Sequence, residues 1–459
     1  MTDITVVYGI RDVSAWHIES PETYIYILHF PMTTDEFIAL HADDDVRQLA
    51  LKARPDSAID LPFALDQIAG RQTARRKLPS WAATDGIIYP PHLSMEQCSG
   101  EPAARYKAAV AGRLTDGALL VDITGGFGVD FSFMARLFTR AVYVERQEHL
   151  CRIAEANFRR LGLAQAVTVC GDGPEYAAGM ADRASLIYAD PARRDNHGGR
   201  TFAISDCTPD ILAIIGMLLD RARHVMVKLS PMLDWRKAVR DISGAGASVS
   251  EVHIVATSGE CKELLMVIGR EEAAGLRMFC VNDGTTVSYD ADRDGREIPT
   301  DGADRTTEMA FTAERTTEMP SDDIPVPPCY VYEPNAAVMK AGCFALIAAR
   351  YGVRQISRDS HLFVSGRPVD GFPGRGFEVT AVTTMNKKEL RRTLAGVTRA
   401  NITVRNFPMT TDALRRRLKL AEGGETYIMA TTTAGGSHVL LVCTKQKPAF
   451  PHGEAGFHQ

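Results

Sequence analysis

No stretch of this 459-residue sequence stays apolar for the roughly 18 positions that a membrane-crossing helix needs. Nor does its first stretch join a basic region to an apolar run as a secretion signal does, so the sequence reads as cytoplasmic, with no membrane partner. Nine cysteines stand singly, without a Cys-x-x-Cys pair or a Cys/His cluster. That disfavours a disulfide framework and a zinc site, leaves buried reduced thiols as the expectation, and gives no reason to expect a metal. Charge of one sign is not in large excess either: a net −5 argues neither for nor against a polyanionic partner. What is present is 45% hydrophobic residues over a length that holds roughly two to four domains and buries large cores.

Five stretches follow one another. Residues 1–31, with "ITVVYGI" and "TYIYILHF", read as a peripheral strand pair, and Met32 would make a natural start. Residues 32–112 read as a helical N-terminal domain, opened by a Thr/Asp N-cap signal in "MTTDEF" and interrupted at "KLPSWA" and "IIYPPHLS", where proline forces extended or turn geometry. Within it "GRQTARRKLP" sets Arg71 and Arg75 one helical turn apart with Arg76 alongside; a solvated helix face and contact with a polyanion both account for them. Between 113 and 272 the pattern changes to short apolar strands: "ALLVDI", "AVYVE", "AVTVC", "LIYAD", "HVMVKL", "SEVHIVAT" and "ELLMVIG". Helix-length segments separate the first six and the last two are close enough for a hairpin, so the fold class is α/β with a mostly parallel seven-stranded sheet. A polar stretch with a near-repeat, "DRTTEM" then "ERTTEM", reads as a loop or edge hairpin without chemistry. Beyond it come a helix near 335–351, strands at "HLFVSG" and "GFEVTAV", and from about Met385 a strand, helix, strand and strand.

The strand "ALLVDI" runs into "VDITGGFGVDF", so Asp122 is followed by Thr124, Gly125, Gly126 and Gly128. Glycines there let the backbone turn sharply and approach a ligand, and the next helix offers its first N–H groups. The dinucleotide pattern G-x-G-x-x-G is not met, because Phe131 fills the third glycine position counted from Gly126. An acid ahead of the glycines suits a positively charged or amine-bearing ligand instead. Glu145 ends the second strand, placed for two ribose hydroxyls; Asp172 ends the third, placed for an adenine amino group; Asp190 ends the fourth. Each acid alone is commonly a helix cap or turn residue, but four at successive strand ends are not explained that way.

This constellation resembles the class I S-adenosylmethionine-dependent methyltransferases over about residues 100–270. Asp122, Thr124, Gly126 and Gly128 match D-x-G-x-G-x-G, with Thr124 departing at the first glycine. The resemblance implies a Rossmann-like sheet and S-adenosylmethionine as cofactor, bound by Asp122, Thr124, Gly125, Gly126, Gly128, Glu145 and Asp172. In relatives that act on exocyclic base nitrogens the fourth strand ends in Asp/Asn-Pro-Pro-aromatic. Here Asp190 and Pro191 match, while Ala192 and Arg193 stand in the last two places. A guanidinium stacks on bases and binds phosphate, so Asp190, Pro191, Arg193, Arg194 and, from the fifth strand, Lys228 are the candidate catalytic residues. An ion pair of Asp190 with Arg193 or Arg194 is the purely structural alternative. Ser230, Pro231, "GECKE" and "EQCSGEPAARYKA" rank behind them.

As a whole the chain resembles a bacterial methyltransferase family with a THUMP-like C-terminal domain, on the segments "GRQTARRKLPSWA", "LSMEQCSGEPAARYKA", "VDITGGFGVDFSFMA", "YADPARRD", "YVYEPNAAVMKAG" and "NITVRNFPMTTDALRRRLKL". The resemblance implies a methyltransferase domain at 113–272, a ferredoxin-like subdomain with a polar insertion at 276–385, a THUMP-like domain at 386–459, and RNA, typically tRNA, as partner. Composition agrees: between Asn386 and Lys419 ten basic residues face Glu389 and Asp412 alone, a local net charge of +8. Arg415, Arg416 and Arg417 lie there on an expected helix and join Arg71, Arg75 and Arg76 as candidate RNA contacts. Two other readings stay open, an RNA-binding protein on an inactive methyltransferase fold and a small-molecule methyltransferase with an unrelated basic tail.

Overall fold

A computed structural model describes residues 32–52, 59–193, 204–271, 275–292, 319 and 325–446. The 1–31 extension, the near-repeat apart from Met319, and Arg194 lie outside the described residues. Six helices come first: α1 (Thr34–Leu40), α2 (Val46–Lys52), α3 (Leu61–Lys77), α4 (Pro79–Ala82), α5 (His92–Gln97) and α6 (Glu101–Leu114). Thr33 and Glu36 close a reciprocal capping box on α1, the signal that "MTTDEF" carries. At "KLPSWA" only Leu78 leaves helical geometry; Pro79 opens α4, where its missing N–H costs no bond.

The following segment builds the first sheet from β1 (Leu119–Asp122), α7 (Val129–Ala135), β2 (Arg140–Glu145), α8 (Glu148–Arg160), β3 (Ala166–Cys170), α9 (Gly173–Gly179), β4 (Ala184–Ala189), α10 (Ile211–Arg221), β5 (Ala222–Leu229), α11 (Trp235–Gly244), β6 (Ser248–Thr257) and β7 (Glu260–Gly269). The strand order is β3-β2-β1-β4-β5-β7-β6, and β7 alone among these runs antiparallel to its neighbours. The expected seven strands are extended to nine by β8 (Leu276–Asn282), parallel to β6, and β9 (Thr285–Ala291), antiparallel to β8. These sixteen residues were expected in the ferredoxin-like subdomain. They join the first sheet because β6 would otherwise be an open edge, and the buried side chains of Met278, Cys280, Val287 and Tyr289 continue its core.

Beyond residue 325 lie β10 (Cys329–Pro334), α12 (Ala336–Ala341), α13 (Phe344–Tyr351), β11 (Arg354–Gln355), β12 (Phe363–Ser365), β13 (Gly374–Thr383), α14 (Lys387–Thr393), β14 (Asn401–Arg405), α15 (Thr411–Leu418), β15 (Thr426–Thr432) and β16 (His438–Lys445). They form one seven-stranded sheet of order β11-β12-β10-β13-β16-β15-β14. The two C-terminal units expected on either side of residue 385 thus share a continuous sheet, since β13 pairs with β10 on one edge and β16 on the other. The single helix expected near 335–351 is broken at Gly342, which ends α12 at φ 72°. Ala337, Val338, Ala341 and Ile347 of this pair of helices are buried in the same core as β6 and β8, which docks the second sheet on the first.

Side-chain amides fasten the helical block to the sheet. Gln67 donates to the Tyr89 carbonyl and accepts from the Tyr89 N–H, both at 2.8 Å, and Asn157 on α8 does the same with Ile88 at 2.8 Å twice. Gly70 is required beside them, because a Cβ there would lie 2.3 Å from that of Tyr89. Asn157→Ala, which strips the Ile88 backbone of both partners, should destabilise the protein by about 2 kcal/mol in denaturant titration and speed amide exchange in α3 ahead of β1.

Candidate active site

Strand register brings the acids together. Asp122 pairs with Tyr188 across β1 and β4, and Ala189 with Val227 across β4 and β5, so the next residues, Asp190 and Lys228, stand side by side. Lys228 Nζ donates to Asp190 Oδ2 at 2.6 Å, and the lysine side chain is 14% exposed against 39% for the aspartate, which sets the cation behind the carboxylate. The partner of Asp190 among the described residues is therefore Lys228. Pro191 is buried, and the backbone of Ala192–Arg193 runs antiparallel to Cys207–Thr208; the Arg193 side chain and all of Arg194 lie outside the described residues.

Thr124, the departure from the glycine pattern, has a role that glycine lacks. Its hydroxyl accepts the Asp190 N–H at 2.6 Å and donates to Asp122 Oδ1 at 3.3 Å, tying the ends of β1 and β4 together. Gly126 and Gly128 take φ 59° and 83°. A Cβ on Gly125 would fall 2.4 Å from the Tyr143 ring, and one on Gly128 2.8 Å from that of Phe158. Glu145 braces the loop by accepting from Gly126 N–H at 2.8 Å and, through its other oxygen, from Gln147 N–H at 2.8 Å. Asp172 caps α9 through Glu175 N–H at 2.9 Å and pairs with Arg146. Ser230 and Pro231 follow β5 at the same rim.

Behind this rim lies a buried charged cluster that joins the second-rank segments "EQCSGEPAARYKA" and "GECKE", a meeting that sequence reasoning did not foresee. Lys107 on α6 has no exposed surface; its Nζ is 2.6 Å from both carboxylate oxygens of Glu263 on β7 and 3.2 Å from Asp130 Oδ1 on α7. Ser99 and Tyr188 donate to Asp130 Oδ2 at 2.9 and 2.8 Å, and Lys107 also donates to Ser99 at 3.1 Å. The signal in the sequence was a charge set against apolar neighbours: Lys107 ahead of "AAVA", Asp130 in "GVDFSFM", Glu263 ahead of "LLMV".

These surroundings treat the acids differently. Burial pushes the Asp122 carboxyl up to about 8, and the charges of Asp130 and Asp190 add to the effect; only Thr124 opposes it. Burial also works against charge on Asp130, but Lys107, Lys228 and the two hydroxyls outweigh it and hold this carboxyl below its ordinary value. Burial pushes Glu263 up, opposed by Lys107 and Lys228. At Lys228 burial is overcome by Asp190, Asp130 and Glu263, which hold the ammonium protonated. Among the described residues no three metal-ligating side chains group together, and no helix is long and apolar enough to cross a membrane.

A second candidate surface lies on the C-terminal sheet. Leu390 of α14, Leu394 at its C-terminal cap, and Leu414 and Leu418 of α15 pack into one core with Ile402, Ile428, Ala430 and Leu440, so both helices cover the same face and turn their polar sides outward together. Lys387, Lys388, Arg391, Arg392, Arg416 and Arg417 are exposed there, with no carboxylate partner among the described residues. Arg415 is drawn inward to the Ala400 carbonyl at 2.9 Å, and Arg405 is committed to Glu333 at 2.8 Å. On α3, Arg71 and Arg76 are exposed, whereas Arg75 pairs with Asp43.

Comparison with known proteins agrees with this layout. A family model described as THUMP domain-like matches residues 374–445 and a ferredoxin-like domain model matches 330–373. A model for protein-L-isoaspartate(D-aspartate) O-methyltransferase matches residues 90–185. The crystal structure of a candidate methyltransferase from Porphyromonas gingivalis W83 is 30% identical, with a TM-score of 0.74, over 90% of this chain and 97% of that one. Uncharacterized S-adenosylmethionine-dependent methyltransferases of two Mycobacterium tuberculosis strains are 26% identical over 352 residues, 75% of this chain and 84% of theirs.

Asp122 makes stability depend on pH in the direction opposite to an ordinary salt-bridged aspartate. Its folded-state carboxyl titrates near 8 and its unfolded one near 3.8, so the folded state holds a proton that the unfolded state has lost between those values. Stability contributed at this site should be full below about pH 4 and decline until about pH 8. The melting temperature of Asp122→Asn should accordingly fall less than that of the wild type between pH 5 and 8; parallel curves would show that Asp122 does not hold the proton.

Proposed function

Since this chain belongs to the class I S-adenosylmethionine-dependent methyltransferases with a C-terminal THUMP-like unit, we propose that it methylates RNA, with tRNA the expected acceptor. The observation that carries this reading is the exposed face of α14 and α15, where six cations stand together without carboxylate partners among the described residues, on a unit separate from the strand ends. Unpaired cations on one face attract a phosphate backbone and release its counterions. Few aromatics accompany them, which favours recognition of backbone and shape over base stacking.

The site residues fit the cofactor. Asp122 is a buried acid without an ion pair among the described residues, next to a loop that is kept open by Gly125, Gly126 and Gly128. Asp122 to Gly128, Glu145 and Asp172 would hold S-adenosylmethionine, which supplies a methyl group on a sulfonium that is already a good leaving group. The protein then has to align the acceptor more than activate it. Asp190 would orient an acceptor N–H and take up its proton. Lys228, fixed behind it, restricts the carboxylate to one orientation, and Thr124 anchors its backbone.

Mass spectrometry of nucleosides from cells with and without the gene should show one methylated nucleoside lost from RNA; unchanged RNA would favour the small-molecule reading. Asp190→Ala should lower methyl transfer by about 100-fold or more while cofactor affinity stays within about twofold, and a joint loss of both would make Asp190 structural. In tRNA gel shifts, Arg416→Glu with Arg417→Glu should weaken binding at low salt and flatten the slope of log affinity against log salt. Identical slopes would remove α15 from the RNA surface.

A further inference from the structure

Lys107 is placed differently from a lysine that only fastens one helix to one strand. A fastening lysine needs a single carboxylate, and Lys107 has two, Glu263 at 2.6 Å and Asp130 at 3.2 Å, none of them at the solvent rim. Lys228 pairs with Leu265 across β5 and β7, so its side chain shares a sheet face with Glu263 two residues away; it reaches Asp190 at 2.6 Å, and the charges of Asp190, Asp130 and Glu263 together hold its ammonium protonated. Lys228 is thus wanted from two directions: from Asp190 in front, and from Asp130 on α7 and Glu263 on β7 behind. Tyr188 on β4, Asp122 on β1 and Cys98 in the turn before α6 are further titratable groups around this cluster. Whether the Lys228 ammonium stays forward depends on how well the rear carboxylates are satisfied, and Lys107 is the other cation that satisfies them.

We propose that Lys107 and Glu263 are positioning residues of methyl transfer: together they satisfy the buried acids from behind and leave Lys228 to orient Asp190 toward the acceptor. The inference rests on the reading of Asp190 as the acceptor-side acid. It spans four elements, because α6, α7, β5 and β7 must each deliver one member. Neither Lys107 nor Glu263 touches the acceptor side itself, since both are buried.

Lys228 reports on this balance without any RNA. In the full chain its amine can be labelled by an acylating reagent at alkaline pH and read peptide by peptide by mass spectrometry. Lys107→Met leaves Asp130 and Glu263 with Lys228 as their remaining cation, so labelling of Lys228 should fall severalfold. Glu263→Gln removes part of that pull, so labelling should rise severalfold. An architectural pair would loosen the core in both variants and raise labelling in both; that pattern, or no change in either, overturns the proposal. Should Lys107→Met fail to fold, the charge-balanced Lys107→Met/Glu263→Gln variant takes its place, with labelling expected back at the wild-type level and a rise like that of Glu263→Gln counting against it. In methyl transfer to RNA, Lys107→Met should lower kcat about tenfold with cofactor affinity unchanged, and should cost nothing more when Lys228→Met is already present. Absence of transfer by the wild type would tell against RNA as acceptor, while the labelling result stands on its own.

Discussion

A fully buried lysine constrains everything around it. Removing an ammonium from water costs several kcal/mol even after relaxation, and carboxylates offset that cost only where geometry is good and remaining donors and acceptors are filled. Lys107 meets the condition through both oxygens of Glu263, through Asp130 and through Ser99, while Tyr188 fills Asp130 from the other side. Removing one member of such a cluster strands the others, at a cost on the order of 3–5 kcal/mol. The helix ahead of the first strand, the helix after the glycine loop and the antiparallel strand β7 are therefore held at fixed positions around the carboxyl ends of β4 and β5.

The four acids at the strand ends show how one residue type serves different ends in different surroundings. Asp122, buried and without a cation partner among the described residues, is pushed toward its protonated form near neutral pH. Asp190 has a lysine behind it and solvent in front. Glu145 spends its oxygens on the backbone of the glycine loop and of the turn after β2. Asp172 is a helix cap as well as a rim acid, so the cap explanation and the site explanation describe the same side chain. Ligands of doubly wound sheets bind beyond these strand ends, and that is where charge, glycine and the threonine bridge converge.

The second sheet divides the work differently. One of its faces is a closed apolar core around Val331, Phe377 and Leu441, and the other carries two short basic helices over Ile402, Ile428 and Leu440. Nothing in these helices is catalytic in character. Six of their cations have no carboxylate partner among the described residues, while α12 and α13 fix the unit to the sheet that holds the acids. A methyltransferase built this way can separate the affinity for its acceptor from the alignment of the reacting atoms.

Much of this was legible from residue order alone. Apolar runs of strand length, the acid that ends each of the first four, the glycines after Asp122 and the cations after Asn386 are local patterns, set by the two-residue period of strands and by turn chemistry. Thr124 and Lys228 could be singled out for the same reason, each lying at the end of a recognisable strand. What the sequence could not decide was which strand ends meet and which charges face each other. Lys107 and Glu263 are 156 residues apart, and their pairing exists only because β7 is inserted between β5 and β6. The partner of Asp190, the capture of β8 and β9 by the first sheet, and the withdrawal of Arg415 from the basic surface have the same origin. Each depends on register and on desolvation between elements remote in the chain, where a charge takes the partner that packing brings within reach rather than the one nearest in sequence.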